Sequence, residues 1–167
     1  MAVTTQILRT YRHPRRVMRA LIASNLSDNR PEARGLVYLL LGCILIYIGQ
    51  IPGLVSVADN VEGGAPRDAR LAITFFAWVF IWPLIFYALA ALSHVVARLM
   101  GGKGRGADAR LALFWTVLSV SPLFLIRGLA EVAGNAAAFF AINILVAVAF
   151  VVIWAATLIE AETGVDT

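Results

Sequence analysis

Charged side chains are scarce in this sequence, and their scarcity excludes a soluble globular domain. Only 14% of the 167 residues are Asp, Glu, Lys or Arg, whereas 60% are hydrophobic. Soluble domains carry about 25% charged residues, which give them a polar surface. Cysteine is rarer still. Cys43 is the only cysteine, so the chain forms no intramolecular disulfide.

Residue types that catalyse reactions or bind metals are equally rare. The two histidines, His13 and His94, stand far apart, and no His-x-x-x-His or Cys-x-x-Cys spacing occurs. No carboxylate lies inside an apolar run, which removes the usual proton or ion relay of a transporter. We therefore predict no enzymatic activity, no cofactor and no metal site.

Four long apolar segments fill most of the chain from residue 35 onward. Each approaches or exceeds the roughly 20 residues that cross the hydrocarbon core of a bilayer. We place them at about 36–57, 71–100, 111–128 and 136–159. The sequence thus predicts an all-α, multi-pass integral membrane bundle. Its transmembrane domain, 35–160, follows a basic segment, 1–34, and precedes a short acidic tail, 161–167.

The basic residues are divided unevenly between the two sides of the predicted membrane. Seven of the fourteen Lys and Arg residues precede the first span, and four flank the break between the second and third spans. With four alternating spans, eleven lie on the side of the N-terminus and three on the other. Positive loops stay in the cytoplasm. We therefore predict a cytoplasmic N-terminus, with the inner membrane of a bacterium as the location.

The basic N-terminal segment has two interpretations. From Pro14 onward, Val17, Met18, Leu21 and Ile22 recur at helical spacing, which is typical of a short amphipathic helix on the membrane surface. Alternatively, the segment is a topogenic charge cluster with no structure of its own. We predict that four of its arginines contact anionic lipids or an acidic partner: Arg12, Arg15, Arg16 and Arg19. Nucleic-acid binding is not expected, because aromatic platforms are nearly absent.

The break between the second and third spans has an unusual composition, Gly-Gly-Lys-Gly-Arg-Gly at 101–106. Such a loop can present backbone N–H groups to a phosphate, but a positively charged cytoplasmic turn explains the same composition and is favoured. We interpret Lys103 and Arg105 as further lipid or partner contacts. The structural motifs that we single out are Gly101, Gly102 and Gly104 in this loop, and Ser121 and Pro122 in the third span.

Proline at position 122 removes a backbone hydrogen bond inside the third span, and the Ser121 hydroxyl is able to satisfy the carbonyl that is freed. Neutral polar residues within the spans, Ser93, Thr116 and Asn143 among them, are expected to bond between helices or back to a carbonyl. Lining a pore is the alternative. Trp78 and Trp82 are expected to pack inside the bundle.

The order of these features resembles the Yip (Ypt/Rab-interacting protein) membrane family in its bacterial form. The resemblance lies in the Tyr11–Arg15 segment, in a long second helix that runs into Met100–Gly104, and in Ser121-Pro122. It covers most of residues 10–160, although Yip domains usually have five spans and four are found here. Eukaryotic relatives contact Rab GTPases through a soluble region that has no counterpart in this leader, so that role is not carried over.

Taken together, these features predict a non-enzymatic membrane protein of Yip type that acts through helix–helix, protein or lipid contacts in membrane organisation or assembly. The alternative is a small transporter or channel subunit that works as an oligomer. The expected partners are membrane lipids, other membrane proteins or further copies of the chain, and not nucleic acid.

Overall fold

A computed structural model describes residues 3–26, 31–60 and 66–163, and within these ranges the chain is helical with no strand. Its helices are α1 (Val3–Arg12), α2 (Pro14–Leu26), α3 (Pro31–Asn60), α4 (Arg67–Leu99), α5 (Gly106–Val132) and α6 (Ala136–Glu162). Helices α3 to α6 are long and apolar enough to cross a membrane. The prediction of an all-α, multi-pass bundle with four spans is confirmed.

The helices extend beyond the apolar segments that predicted them. The third span, predicted at about 111–128, is longer at both ends, because α5 has 27 residues. Helix α6 continues to Glu162, so the first two residues assigned to the acidic tail are helical, while 164–167 lie outside the described residues. In α4, a π-helical turn at Ala77–Ile81 directly precedes the α-helix that contains Pro83.

Helix α5 forms the centre of the bundle, and α3 runs parallel to it. Every residue of α5 from Leu111 to Ser121 is buried. A glycine recurs every seven residues on the face of α3 that meets α5, at Gly35, Gly42 and Gly49. A Cβ atom built at Gly49 would lie 2.5 Å from the Phe124 carbonyl oxygen. Small residues allow such close helix approach in membranes, so these glycines set the distance between the two helices.

The N-terminal segment has structure of its own, which excludes the interpretation as an unstructured charge cluster. The predicted amphipathic helix is formed as α2, but its apolar face does not lie on head groups. Val17, Met18, Leu21 and Ile22 are buried in one cluster with side chains of α3, α5 and α6. The apolar stripe is covered by protein because these three helices leave Tyr38, Leu111, Ala112, Trp115 and Ala161 open to it.

Helix α1 is also fixed to the bundle, through the middle of α5. The Trp115 Nε1 donates a hydrogen bond of 3.0 Å to the buried Thr10 Oγ1. The Tyr11 hydroxyl donates one of 2.7 Å to the Ser119 carbonyl. These bonds hold residues at the end of α1 against the core helix.

The predictions for Ser93, Thr116, Asn143, Ser121 and the two tryptophans are confirmed, whereas the Ser119 hydroxyl is buried without a partner among the described residues. Ser93, Thr116 and Asn143 each donate to a carbonyl of their own helix. The Ser121 hydroxyl donates to the Leu118 carbonyl over 2.8 Å, which is the carbonyl that Pro122 leaves free. Trp78 and Trp82 stack with ring centroids 4.8 Å apart inside a core cluster.

Candidate functional site

Most of the residues predicted to act meet at one end of the bundle, where α2, the starts of α3 and α5 and the ends of α4 and α6 converge. We call this the basic end. The Arg19 guanidinium lies 2.6 Å from Glu160 Oε1 and joins α2 to α6. The Lys103 amide donates to the Glu162 carbonyl over 2.9 Å and joins the glycine-rich loop to the same helix. Arg19 and Lys103, predicted separately, are therefore brought to one helix end.

The glycine-rich loop begins with a Schellman motif, which closes the C-terminus of α4. The Gly102 amide donates to the Ala97 carbonyl over 2.8 Å, and the Gly101 amide donates to the Arg98 carbonyl over 3.0 Å. Gly101 has a φ of +96°, a conformation that side-chain-bearing residues rarely adopt. The sequence Gly101-Gly102 thus ends the helix and turns the chain toward α6.

The rest of the loop packs closely on its neighbours. A Cβ at Gly104 would collide with the Ala161 carbonyl oxygen, and one at Gly106 would lie 3.3 Å from the His94 ring. The amides of Gly101, Gly102 and Lys103 all bond to protein carbonyls. The interpretation as a phosphate cradle is therefore wrong at these three amides, because their hydrogens are already used.

The basic end contains a buried acid–imidazole pair that sequence reasoning missed. His94 Nδ1 lies 2.6 Å from Glu162 Oε1, and the Glu162 side chain is only 7% exposed. Among the described residues, Glu162 Oε2 has no hydrogen-bond partner. Asp108 is buried at the start of α5 and interacts electrostatically with Arg105 and Glu162. The sequence contained one signal for Glu162. It follows Trp154 and Leu158 at intervals of four residues, which places the three side chains on the same face of α6.

A groove of about 800 Å³ opens beside this pair, between α4 and α6. We call it the α4–α6 groove. Its walls are apolar and its mouth is polar. The apolar wall residues include Leu89, Leu92, Val96, Trp154, Leu158 and Ile159, Ser93 lies among them, and the mouth at the basic end includes Lys103, Glu162 and Thr163. Its volume lies within the range of about 300–1,000 Å³ that is typical of small-molecule sites.

The remaining predicted arginines face away from the bundle. Arg12, Arg15 and Arg16 are exposed, on the side of α1 and α2 opposite the buried stripe. Within the described part of the chain, no hydrogen bond or ion pair joins these three to another residue. We call them the arginine surface. Lys103 and Arg105 are exposed as well, whereas Ser121 and Pro122 lie in the middle of α5 and contribute nothing to this end.

Comparisons with protein-family models, curated proteins and solved structures find no match to this chain. The resemblance to the Yip family therefore remains a prediction from the sequence. Among residues 3–26, 31–60 and 66–163, no group of three or more His, Cys, Asp or Glu side chains is arranged to hold a metal ion.

Proposed function

We propose that this multi-pass membrane protein is not an enzyme and that it binds anionic phospholipids of the inner leaflet through the arginine surface. Its basic end would face the cytoplasm of a bacterium. Bound lipid would serve membrane organisation or the assembly of other membrane proteins or further copies of the chain. Membership of the Yip family, which the resemblance over residues 10–160 suggests, is part of the same proposal.

The exposed position of Arg12, Arg15 and Arg16 on helices that are fixed to the bundle carries this proposal. Each basic residue near an anionic membrane surface contributes about 1 kcal/mol. A guanidinium also binds phosphate oxygens in a bidentate fashion, which an ammonium cannot do. Because the opposite side of α2 is buried in the core, the helix that carries Arg15 and Arg16 is held in place and does not have to be ordered on binding.

The transporter or channel alternative is less well supported. A permeation path needs polar groups that are free to contact a substrate. The central helix is buried from Leu111 to Ser121, and the hydroxyls of Thr116 and Ser121 bond to carbonyls of α5. This packing disfavours a path through the middle of a single chain.

The test replaces Arg12, Arg15 and Arg16 by lysine in one variant. The charge is kept, so insertion should be normal, but loss of the bidentate bonds should lower retention of phosphatidylglycerol about tenfold. Phosphatidylglycerol retained after purification in mild detergent is the measurement. Arg67→Lys, at the other end of the bundle, is the matched control and should retain lipid as the wild type does. Equal retention of phosphatidylglycerol by all three proteins would contradict the proposal and would leave the arginines with a role in membrane topology only.

A further inference from the structure

The walls of the α4–α6 groove belong to the two helices that face the membrane most. Only 22% of the span of α4 and 11% of that of α6 are buried within the protein. In a membrane, the apolar walls of a groove between two such helices face acyl chains. Its walls therefore suit the hydrocarbon part of a molecule from the bilayer.

The mouth of the groove has a different chemistry, because it contains an acceptor with no donor. Glu162 Oε1 is bonded to His94, but Oε2 is buried and has no partner in the described part of the chain. A buried acceptor without a donor is costly, and the cost is larger for a charged group. Gly102 lies next to this oxygen, and a Cβ there would come within 2.8 Å of it. Glycine thus keeps the approach to Oε2 free of a side chain.

Two further groups lie along the same groove. Lys103 is exposed at the mouth and offers a positive charge. Trp154 is in the wall, eight residues before Glu162 and so about 12 Å farther along α6. Its Nε1 hydrogen is buried and has no acceptor within the described ranges. The residues that line the groove therefore include, in order, a lysine and a glutamate with an unpaired buried oxygen at the mouth, and farther along α6 a tryptophan with an unpaired buried N–H.

We propose that the α4–α6 groove binds one phospholipid with a primary-amine headgroup. The headgroup ammonium donates to Glu162 Oε2, and the phosphate pairs with Lys103. An ester carbonyl accepts from Trp154 Nε1, and an acyl chain lies along the apolar wall. This site is separate from the arginine surface and takes a different class of lipid.

The proposed hydrogen bond to Glu162 requires an N–H donor in the headgroup, and this requirement distinguishes primary-amine phospholipids from phospholipids with a quaternary ammonium. Phosphatidylethanolamine and phosphatidylcholine carry the same charges, but the quaternary ammonium of phosphatidylcholine has no N–H group to donate. A charge-assisted hydrogen bond is roughly twice as strong as a neutral one. We expect the wild-type protein to retain phosphatidylethanolamine over phosphatidylcholine by about tenfold.

The experiment is native mass spectrometry of the full chain, released from detergent after incubation with an equimolar mixture of phosphatidylethanolamine, phosphatidylcholine and phosphatidylglycerol. Glu162→Gln removes the charge with little change in shape and should abolish the preference for phosphatidylethanolamine. Glu160→Gln is the matched control, because Glu160 is on the same helix end but pairs with Arg19 and is not a lining residue of the groove. It should keep the preference.

A second pair of variants leaves the Glu162–His94 pair unchanged and tests the wall. Val96 lines the groove, whereas its neighbour Val95 is exposed but is not part of the lining. Val96→Phe should fill the groove and remove bound phosphatidylethanolamine, while Val95→Phe should retain it. This pair decides the question even if Glu162→Gln does not fold.

The outcomes separate this inference from the proposed function. The arginine-to-lysine variant should lose phosphatidylglycerol and keep phosphatidylethanolamine. Glu162→Gln should lose the preference for phosphatidylethanolamine and keep phosphatidylglycerol. Equal retention of phosphatidylethanolamine and phosphatidylcholine by the wild type would overturn the groove proposal. Unchanged phosphatidylethanolamine binding in Val96→Phe would overturn it as well, whatever the arginine surface does.

Discussion

Glycine residues have two distinct roles in this protein, one conformational and one spatial. Gly101 has a left-handed backbone conformation that ends α4. Gly35, Gly42 and Gly49 have ordinary helical backbones, and their value is the lack of a side chain where α3 meets α5. The consequences of adding a methyl group therefore depend on what that group would meet.

The two ends of this glycine row should respond differently to alanine. At Gly49 the new Cβ meets the backbone of Phe124, which cannot move aside, so Gly49→Ala should lose about 1–3 kcal/mol of stability. At Gly35 it lies 3.3 Å from the Phe114 ring, a side chain that can shift. Gly35→Ala should then be neutral or gain up to about 1 kcal/mol from helix propensity. Thermal melting of both variants in one detergent tests this, and equal melting temperatures would contradict it.

At the scale of the element, α5 continues through a proline because a neighbouring hydroxyl replaces the missing donor. Pro122 cannot donate to the Leu118 carbonyl, and Ser121 does so instead. A buried carbonyl with no donor costs about 1–3 kcal/mol. The continuity of the central helix therefore depends on a serine and a proline together.

Removing these two residues singly and jointly should give non-additive effects. Ser121→Ala should destabilise the protein by about 1–3 kcal/mol, because the Leu118 carbonyl loses its donor. Adding Pro122→Ala restores a backbone N–H, so the double variant should recover part of that loss. Melting temperatures of the single and double variants provide the measurement. A double variant less stable than Ser121→Ala would show that the proline ring contributes packing that outweighs the hydrogen bond.

The existence of the spanning helices was predictable from apolar length alone, but their ends and partners were not. A helix end depends on tertiary bonds, such as the one from the Lys103 amide to the Glu162 carbonyl, and no local pattern reveals these. The periodicity of Val17, Met18, Leu21 and Ile22 correctly predicted a helix with one apolar face. Periodicity does not tell whether lipid or protein covers that face, and here α3, α5 and α6 cover it.

At the scale of the whole molecule, the alternation of the four spans places Arg19, Lys103 and Arg105 at one end of the bundle. That these basic residues share one side of the membrane follows from the number of spans and was predictable from the sequence. The buried pair was not, because His94 and Glu162 are 68 residues apart and come together only through the packing of α4 against α6. Single-sequence patterns find charged surfaces, whereas sites assembled from two distant helix ends require the tertiary structure.

The proposed orientation of this molecule can be tested with two cysteine variants. Lys103 is exposed at the basic end, and Ala133 is exposed between α5 and α6 at the other. In intact cells, Lys103→Cys should be protected from a membrane-impermeant thiol reagent, and Ala133→Cys should be labelled. Cys43 is fully buried and should stay unlabelled in the wild type. Labelling at 103 with protection at 133 would invert the proposed topology.

The attachment of α1 to the middle of α5 has a consequence for how the protein is made. Thr10 and its partner Trp115 are separated by 105 residues of chain. At translation rates of about 5–20 residues per second, α1 leaves the ribosome about 5–20 s before its partner exists. During that interval α3 and α4 are already being inserted, but the basic N-terminal helices still lack the α5 surface to which α1 bonds. Their docking is therefore a late step of assembly, although they are the first part of the protein to be synthesised.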